Sequence, residues 1–596
     1  MTAIERLLGA PAGTPVRRAI DLLVTDDWTT PALRAPLQAL GTTRAASPLV
    51  LVHDHTYDPG TYQGEERERA VRLLHERDAF VGTYDATLLA REGIQHHVLP
   101  AAGYVRPGDV VVGNDSHAPT LGAFGAAAFA AQPTTFAACM HTGHLPLVVP
   151  HTVGVELRGR LAPGVSARDA MLTLLSRLRD DGTGLPVACG RALEFHGAGV
   201  ASLSASERAV LANAAPEATA ITAVFTPDAR TATPAGEAGT FAALRLDLDR
   251  ITPRVARGGS ASDVVALDDL AGDRVDQVFV GTCSGGTVEE IAAFAEALGA
   301  RTRVPAWVAP ASREVARRLD ESGVLARLVR AGVTVLPPGC GPCFGFGPGR
   351  LGPGARAVTT GNRNAAGRMG AADAEILLAS GRTAGRAART GRLGATGAGG
   401  RGTEAGACAP SRSRPGLQRP RHGNALLLHG TVTTDDLTPS AVPGVGTSAD
   451  GDPAVLRRLL FHHLLPESAR PQVLDALDGG VVLADGVFGV GSNRASSVRA
   501  LRAAGVQAVV ARGVAPVYLA GARDEGLPVL TLAAPDAFQR VAPDSVVRVD
   551  PDAGRVWIDG HAFEAAPPPA YDRALYRAGG VLAYLQPEAE PTGVAR

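Results

Sequence analysis

The chain repeats one local pattern, in which a short apolar run is followed by a turn rich in glycine and polar residues and then by a helical segment. Residues 277–280 precede GTCSGG and the helical pattern TVEEIAAFAEALG, which ends at Gly299. Near the C-terminus, the apolar run 481–483 precedes DGVFGVGSN, which we interpret as a loop, then the helical pattern RASSVRALRAAGV and the strand 508–511. Strand–helix–strand units favour parallel sheets flanked by helices. The sequence therefore predicts an α/β fold.

One segment interrupts this pattern. Residues 385–423 are rich in glycine and arginine, with one acidic residue and almost no large apolar side chains. Such a composition cannot bury a core and predicts a flexible linker. A solvated tether is favoured over a nucleic-acid-binding arm. The linker would divide a large N-terminal part, residues 1–384, from a smaller C-terminal domain, residues 424–596.

Composition excludes several classes of function. All 58 basic residues are arginine, because the chain contains no lysine. This excludes Schiff-base and pyridoxal-phosphate chemistry and a complete GxxxxGK[ST] phosphate loop. The formal net charge of -1 does not favour a nucleic-acid partner or an anionic membrane surface. With no apolar run of membrane-spanning length and no signal-peptide pattern at the N-terminus, we expect a cytoplasmic protein without a membrane partner.

Three of the six cysteines stand in loops that could carry chemistry. Cys283 lies in GTCSGG at a strand-to-helix turn, where helix-start amides would stabilise a thiolate, and Cys340 and Cys343 lie in PPGCGPCFGFG. A lone CxxC is compatible with a redox pair or half of a zinc site. Three thiolates without an obvious fourth also suit a cubane iron–sulfur cluster with one open iron. Cys139 and Cys189 are interpreted as core residues and Cys408 as incidental.

Adjacent acidic and histidine residues form a second signal. They follow predicted strands in LVLVHDHTYDPGT and VVVGNDSHAPT, and a further histidine pair occurs in REGIQHH. Each pair alone is typical of a cap or a core contact, but three such sites within a short stretch favour a proton-transfer site. The residues concerned are Asp54, His55, His96, His97, Asp115, Ser116 and His117.

Arginine and serine residues in glycine-rich turns complete the set of candidates. Arg363 and Arg368 in GNRNAAGRMG suit bidentate binding of carboxylates, with an ordinary surface loop as the alternative. Ser492 and Arg494 in GVGSNR stand where a helix begins, so the serine is either an activated base or a helix cap. The GxSxG elbow of serine hydrolases is absent.

Taken in order, these segments resemble the aconitase superfamily, which includes isopropylmalate dehydratase and homoaconitase. The resemblance covers nearly the whole chain: 1–384 is similar to the large subunit of isopropylmalate dehydratase, and 424–596 to its small swivel subunit. It implies an aconitase-like three-domain N-terminal part around an iron–sulfur cluster, followed by a C-terminal α/β swivel domain. Because both halves are joined in one chain, we expect a monomer.

The resemblance implies roles for individual residues. The three cysteines Cys283, Cys340 and Cys343 would hold a [4Fe-4S] cluster, and Asn213 and Asn362 would contact it. Residues at catalytic positions are Asp54, His55, His96, Asp115, His117, Glu217 and Ser492. Residues at substrate-binding positions are Ser116, Arg363, Arg368, Asp435, Asn493 and Arg494.

The implied reaction is dehydration and rehydration of a hydroxy di- or tricarboxylic acid. Ser492 would remove a proton next to a carboxylate, a His/Asp pair would protonate the departing hydroxyl, and arginines would neutralise the remaining carboxylates. Alternatives are a dehydratase that stops at the alkene, an RNA-binding iron sensor derived from the same fold, and a zinc-stabilised scaffold.

The sequence departs from the family motifs next to the expected substrate pocket. GSSREH is GSNRAS here, with Asn493, Ala495 and Ser496 at the changed positions. GSCTN has become GTCSG, and TTDH has become TTDD at Asp436. These changes predict a substrate other than citrate or isopropylmalate, such as a malate with an alkyl or phosphonate substituent from a specialised biosynthetic pathway.

Overall fold

The computed structural model describes residues 1–56, 59–179, 185–226, 240–394, 416–418, 423–438, 452–462, 464–491 and 495–586. The chain forms two compact units. Unit 1 consists of 1–30, 48–130 and 145–413, and unit 2 consists of 31–47, 131–144 and 414–596. The predicted assignment of a large-subunit-like and a swivel region to these parts of the chain stays a prediction.

The N-terminal two thirds of the chain alternates strands and helices. Its strands are β1 (Pro15–Ala19), β2 (Leu22–Asp26), β3 (Leu49–His53), β4 (Thr87–Ala90), β5 (Val110–Gly113), β6 (Ala127–Ala130), β7 (His144–Val148), β8 (Thr152–Arg158), β9 (Ala192–His196), β10 (Thr222–Phe225), β11 (Thr240–Asp247), β12 (Arg254–Ala256), β13 (Val264–Ala266), β14 (Gln277–Val280), β15 (Ala306–Val308), β16 (Thr334–Val335), β17 (Arg356–Thr359) and β18 (Glu375–Leu378). Its helices are α1 (Ala3–Leu8), α2 (Arg34–Ala39), α3 (Gly64–Tyr84), α4 (Gln95–Ala101), α5 (Pro133–Thr142), α6 (Ala167–Arg177), α7 (Ala205–Ala212), α8 (Thr282–Gly285), α9 (Val288–Leu298), α10 (Arg313–Glu321), α11 (Val324–Arg330) and α12 (Gly381–Thr390).

The C-terminal third continues in the same way. Its strands are β19 (Gly416–Gln418), β20 (Ala425–His429), β21 (Val432–Thr433), β22 (Val481–Val490), β23 (Ala508–Val514), β24 (Val529–Thr531), β25 (Val547–Asp550), β26 (Arg555–Ile558) and β27 (His561–Glu564). Its helices are α13 (Thr434–Leu437), α14 (Pro453–Leu459), α15 (Arg470–Ala476), α16 (Ala495–Ala503), α17 (Pro516–Asp524), α18 (Pro535–Arg540), α19 (Ala570–Ala578) and α20 (Val581–Leu585).

Unit 1 contains three sheets that are parallel in whole or in large part. A five-stranded sheet has the order β4-β3-β2-β5-β6, and each neighbouring pair is parallel. A seven-stranded sheet has the order β13-β12-β18-β17-β14-β15-β16, parallel from β18 to β16. A four-stranded parallel sheet has the order β10-β9-β8-β11. The central strands β2, β3 and β5 are buried along their whole length, as expected for parallel strands covered on both faces.

Unit 2 is built on a sheet with the order β19-β20-β22-β23-β24, and β21 also pairs with β22. The pairs from β20 to β24 are parallel. Helices α2 and α5 also belong to this unit, although they come from the N-terminal part of the chain. Ala138 of α5 packs in one apolar cluster with Leu575 and Val581. The α/β prediction is confirmed in both units.

Two boundaries differ from the sequence-based expectation. Residues 485–490, expected in a loop, extend β22, because Val487 and Phe488 are buried and pair with Gly513 and Val514 of β23. Their alternation with glycine hid the strand. Residues 385–390, expected to begin the linker, complete α12, where the absence of a side chain at Gly385 allows close packing against the Phe294 carbonyl. The remainder of the predicted linker includes residues 395–415 and 419–422, which lie outside the described residues.

Two further findings bear on function. The predicted strand Gln277–Val280 and the helix ending before Gly299 are both present, as β14 and α9. Among the described residues, no helix combines the length and the apolar character needed to cross a membrane.

Candidate active site

Acidic and histidine side chains gather at the carboxyl ends of the five-stranded sheet. Asp27 follows β2, Asp54 and His55 follow β3, and Asp115 follows β5. These three strands are neighbours in the sheet and run parallel. The residues that follow them therefore meet at one edge, which is where parallel α/β sheets place their sites.

The seven-stranded sheet delivers the cysteines by the same geometry. Cys283 follows β14, Cys340 follows β16 and Asn362 follows β17. Strands β14, β15, β16 and β17 are parallel, so these residues also share one edge. Cys343 comes three residues after Cys340, in a 3-10 turn over Gly341–Phe344.

Hydrogen bonds join the two edges into one site within unit 1. The Cys340 amide donates to the Asp54 carbonyl at 3.3 Å. His97 Nε2 lies 2.7 Å from the Cys283 carbonyl oxygen. Arg363, next to Asn362, donates from Nη2 to Ser116 Oγ at 3.1 Å. The structure thus brings together residues that are separated by hundreds of positions in the sequence.

Two amide side chains face the sulfur of Cys283. Asn213 Nδ2 donates to Sγ at 3.2 Å, and Asn362 Nδ2 donates to it at 3.0 Å. Cys283, Asn213 and Asn362 are all buried. Burial raises the pKa of Cys283, and its sulfur accepts hydrogen bonds from these two side-chain amides. The expected stabilisation of a thiolate by helix-start backbone amides stays a prediction.

The three thiols form a donor set that fits a metal cluster. Cys340 packs against the apolar cluster that contains Cys283, and the charges of Cys340 and Cys343 both act on the Cys283 thiol. Burial raises the pKa of Cys340 to about 12. Thiols in such surroundings ionise when a cationic centre binds them, and N–H donors at the sulfur stabilise the bound form. The residues present therefore fit the iron–sulfur cluster expected from the resemblance. Cys283, Cys340 and Cys343 form no disulfide.

Asp54 and His55 form a tight pair beside Cys340. The Asp54 Oδ1 and His55 Nδ1 atoms lie 2.5 Å apart. Burial opposes charge on the imidazole, but Cys340 and the Asp54 carboxylate outweigh it and raise the pKa of His55. Asp27 holds the backbone of this turn by accepting the amides of Asp54, His55 and Thr56 at 3.0, 3.0 and 2.8 Å. The pair is therefore rigidly placed.

A second chain of contacts starts at Asp115. Its Oδ1 lies 2.9 Å from His96 Nε2 and accepts the backbone amide of His117 at 2.8 Å. Burial opposes ionisation of Asp115, but the hydrogen bond from His96 lowers its pKa well below the usual range. His117 Nε2 lies 3.2 Å from Glu217 Oε1, and burial lowers the pKa of His117. At neutral pH this arrangement pairs an ionised aspartate with a neutral imidazole at His117.

Two arginines supply positive charge near these groups. Arg363 is 8% exposed and donates from Nε to Glu217 Oε1 at 2.9 Å. Burial would raise the pKa of Glu217, but Arg363, His117 and Arg368 lower it. The buried Nε of Arg368 has no hydrogen-bond partner among the described residues. Arg368 therefore has donor capacity left for a carboxylate.

The candidates in the C-terminal region are placed only in part. Ser492, Asn493 and Arg494 lie outside the described residues. Asp435 is half-buried in α13. Thr433 caps that helix, and its backbone amide donates to Asp436 Oδ2 at 2.7 Å. Their predicted roles in the substrate pocket stay predictions.

Sequence reasoning missed several residues that build the site. Asp26 ends the apolar strand β2 and Asp27 directly follows it, so the rule that identified Asp54 could also have identified them. The ligand atoms of Asp26, Asp27, Asp54 and His55 all lie within 4.8 Å of one another. Arg168 and Ser284, which contact Asn362, carry no comparable local signal.

Residues 21–234 and 241–391 match the model of the aconitase family (aconitate hydratase). The chain is 38% identical over 398 residues to 3-isopropylmalate dehydratase large subunit 1 of Methanopyrus kandleri, covering 64% of this chain and 93% of that protein. It is 35% identical over 408 residues to the homoaconitase large subunit of Thermus thermophilus, covering 65% and 95%.

Two solved structures are similar over part of the chain. One is 3-isopropylmalate dehydratase of Methanocaldococcus jannaschii, with 26% identity and a TM-score of 0.24, covering 27% of this chain and 91% of that one. The other is the holo form of Thermococcus kodakaraensis aconitase X, with 14% identity and a TM-score of 0.39, covering 61% and 87%.

Proposed function

The chain belongs to the aconitase family and is a hydro-lyase, and we propose that it isomerises a hydroxy di- or tricarboxylic acid with the help of a [4Fe-4S] cluster. The observation that carries the proposal is the group of three thiols, two of which follow parallel strands of one sheet, with two amide N–H groups directed at Cys283. Dehydration to an alkene and rehydration at the adjacent carbon would complete the isomerisation.

Cys283, Cys340 and Cys343 would hold the cluster. When bound, the cluster supplies an iron without a protein ligand, which acts as a Lewis acid on the hydroxyl and carboxylate of the substrate. Asn213 and Asn362 would stabilise the cluster by their hydrogen bonds to the Cys283 sulfur.

Proton transfer falls to the acidic and histidine pairs. Asp54 and His55, whose Oδ1 and Nδ1 atoms lie 2.5 Å apart, are oriented for donation of a proton to the leaving hydroxyl. The Asp115 pairing with His96 and the His117 pairing with Glu217 offer a second route in the same site. Removal of the carbon-bound proton is assigned to Ser492 as base, on the family resemblance of GSNR to the GSSR motif.

Binding of the substrate carboxylates is assigned to arginines. Arg368 has an unpartnered buried Nε among the described residues, and Arg363 is held by Glu217 and Ser116. A guanidinium binds a carboxylate with two parallel hydrogen bonds. Ser116, Asp435, Asn493 and Arg494 are the further candidates for contacts with the substrate.

The substrate is proposed to differ from citrate and isopropylmalate in its side group. The departures at Asn493, Ala495, Ser496 and Asp436 lie in motifs that the resemblance places beside the pocket. A malate with an alkyl or phosphonate substituent, used in a specialised biosynthetic pathway, fits these changes. With region 424–596 serving as the swivel part of the same chain, we propose a cytoplasmic monomer.

Cluster binding is tested by anaerobic reconstitution of the full chain with iron and sulfide. We expect the protein to bind iron and sulfide in equal amounts, as in a [4Fe-4S] cluster, and to show the visible absorption of such a cluster. Cys343→Ser should lose both, because it removes one ligand. Cys189→Ser is the matched control, since Cys189 is also half-buried but is not a proposed ligand. Equal cluster content in wild type and Cys343→Ser would contradict the ligand assignment.

A further inference from the structure

Arg168 is buried in a place that is costly for a cation. It lies in the first turn of α6, and its exposed fraction is 0%. The amino end of a helix carries partial positive charge, and removal of a guanidinium from water is itself unfavourable. Burial lowers the pKa of Arg168 to about 10, so the group is still charged at neutral pH. Helix stability alone does not explain an arginine here.

The contacts of Arg168 converge on the residues around Cys283. Its Nη1 donates to Ser284 Oγ at 2.5 Å and to Asn362 Oδ1 at 3.1 Å. Its Nη2 donates to the carbonyl of Gly361. Ser284 Oγ also donates to Asn362 Oδ1. The amide oxygen of Asn362 is therefore anchored by two donors.

This anchoring fixes which end of the Asn362 amide faces the cysteine. An amide side chain has one acceptor oxygen and one donor nitrogen, and rotation by half a turn exchanges them. With donors from Arg168 and Ser284 at the oxygen side, the flipped amide would place N–H groups against N–H and O–H groups. The nitrogen therefore faces Cys283 Sγ, at 3.0 Å.

Asn213 provides the contrast. It donates to the same sulfur at 3.2 Å, but its Oδ1 has no hydrogen-bond partner in the described part of the chain. The orientation of Asn213 is therefore not held from the oxygen side. Of the two amides at Cys283, Asn362 is the one that depends on an arginine.

We infer that Arg168 is a positioning residue that holds the amide of Asn362 with its N–H directed at the Cys283 sulfur, and that it thereby raises the reduction potential of the cluster. The inference rests on the proposed function only in requiring a cluster at Cys283. Hydrogen bonds to cluster sulfurs stabilise the more negative, reduced state. Loss of the anchor should therefore shift the potential to more negative values.

The test separates positioning from charge. Arg168→Lys keeps the charge, but an ammonium cannot span Gly361, Ser284 and Asn362 as the planar guanidinium does. Measured by redox titration of the reconstituted cluster, its potential should be lower than that of wild type. In the Asn362→Ala background the same substitution should produce no further shift, because the hydrogen bond it controls is gone.

Arg356→Lys is the matched control. Arg356 begins β17, the strand that leads to Asn362, and its side chain is 17% exposed and paired with Asp273 and Glu375. It stands at the amino end of that strand, away from the cysteine edge, so its replacement should leave the potential unchanged. If Arg168→Lys shifts the potential equally in the wild-type and Asn362→Ala backgrounds, or not at all in wild type, the inference is overturned.

A second variant tests the inference if Arg168→Lys does not fold. Ser284→Ala removes the other donor to Asn362 Oδ1 and should shift the potential in the same direction, again only when Asn362 is present. An unchanged reduction potential in Ser284→Ala, with Asn362 present, overturns the inference. A wild-type protein that takes up no cluster would contradict the proposed function itself, and a wild-type cluster with unresponsive variants would contradict this inference alone.

Discussion

Gly285 is the residue beside the cysteine loop that tolerates a side chain least. A Cβ built there would lie 2.0 Å from Oγ1 and 2.2 Å from Cβ of Thr360. Thr360 cannot move freely, because its hydroxyl accepts the amide of Gly281 at 2.9 Å. We expect Gly285→Ala to destabilise unit 1 by about 3 kcal/mol through overpacking. The measurement is thermal unfolding of the full chain.

Gly82→Ala is the control for this substitution. Gly82 lies inside α3, and nothing lies within 4 Å of its built Cβ. Alanine there should stabilise the helix by up to about 1 kcal/mol. A Gly285→Ala protein that unfolds at the wild-type temperature would show that the loop around Cys283 accommodates a methyl group.

Among individual residues, the sequence identifies those that lie in recognisable turns. Cys283, Cys340 and Asp54 were found because each follows an apolar run in a loop rich in glycine or polar residues. Arg168 could not be found in this way, because one arginine in an arginine-rich chain gives no local signal. Its importance arises from contacts with Ser284 and Asn362, which are more than a hundred positions away.

At the scale of elements, α5 and α17 meet through a buried carboxylate. Asp524, at the end of α17, accepts the backbone amide of Thr135 at 2.9 Å in the first turn of α5. An acidic group at a helix amino end is favourable, yet burial raises the pKa of Asp524 to about 7. The protonated form is therefore preferred in the folded state relative to the unfolded one.

This shift predicts how stability depends on pH. Because the folded pKa lies above the usual aspartate value of 3.8, the contribution of Asp524 to stability is fully present below about pH 4 and is lost as the pH rises through about 7. Asn at position 524 cannot titrate, so the unfolding temperature of Asp524→Asn should vary less between these pH values than that of wild type. The difference corresponds to a few kcal/mol in the free energy of unfolding. Asp544→Asn, at an exposed site of unit 2, is the control. Parallel pH profiles for wild type and Asp524→Asn would contradict the prediction.

Apolar runs and helical periodicity predict individual strands and helices, but they do not predict the order of strands in a sheet. Strand β14, helix α9 and the unit β22–α16–β23 were predicted from apolar runs and helical periodicity. The end of β22 was missed because glycines alternate with its buried residues Val487 and Phe488. The proximity of the residues that follow β2, β3 and β5 was also not predictable, since periodicity does not give the order of strands in a sheet.

At the scale of the whole molecule, the composition of unit 2 goes beyond what a linear reading offers. Composition shifts alone suggested a boundary in 385–423, but residues 31–47 and 131–144 also belong to unit 2. Helix α5 contributes Ala138 to an apolar cluster with Leu575 and Val581. Contacts across such sequence separations depend on tertiary packing, which local patterns do not encode.

We propose that this hydro-lyase acts on an unsaturated acid intermediate through a cluster held by Cys283, Cys340 and Cys343. The most direct measurement is hydration of cis-aconitate, homoaconitate, isopropylmaleate, citraconate and phosphonate analogues by the anaerobically reconstituted chain, followed as loss of alkene absorbance. We predict hydration of at least one of these acids by wild type, and none by Ser492→Ala with an intact cluster spectrum. Absence of hydration across the panel by a wild-type protein with an intact cluster would contradict the proposed function, and normal turnover by Ser492→Ala would contradict the assignment of Ser492 as base.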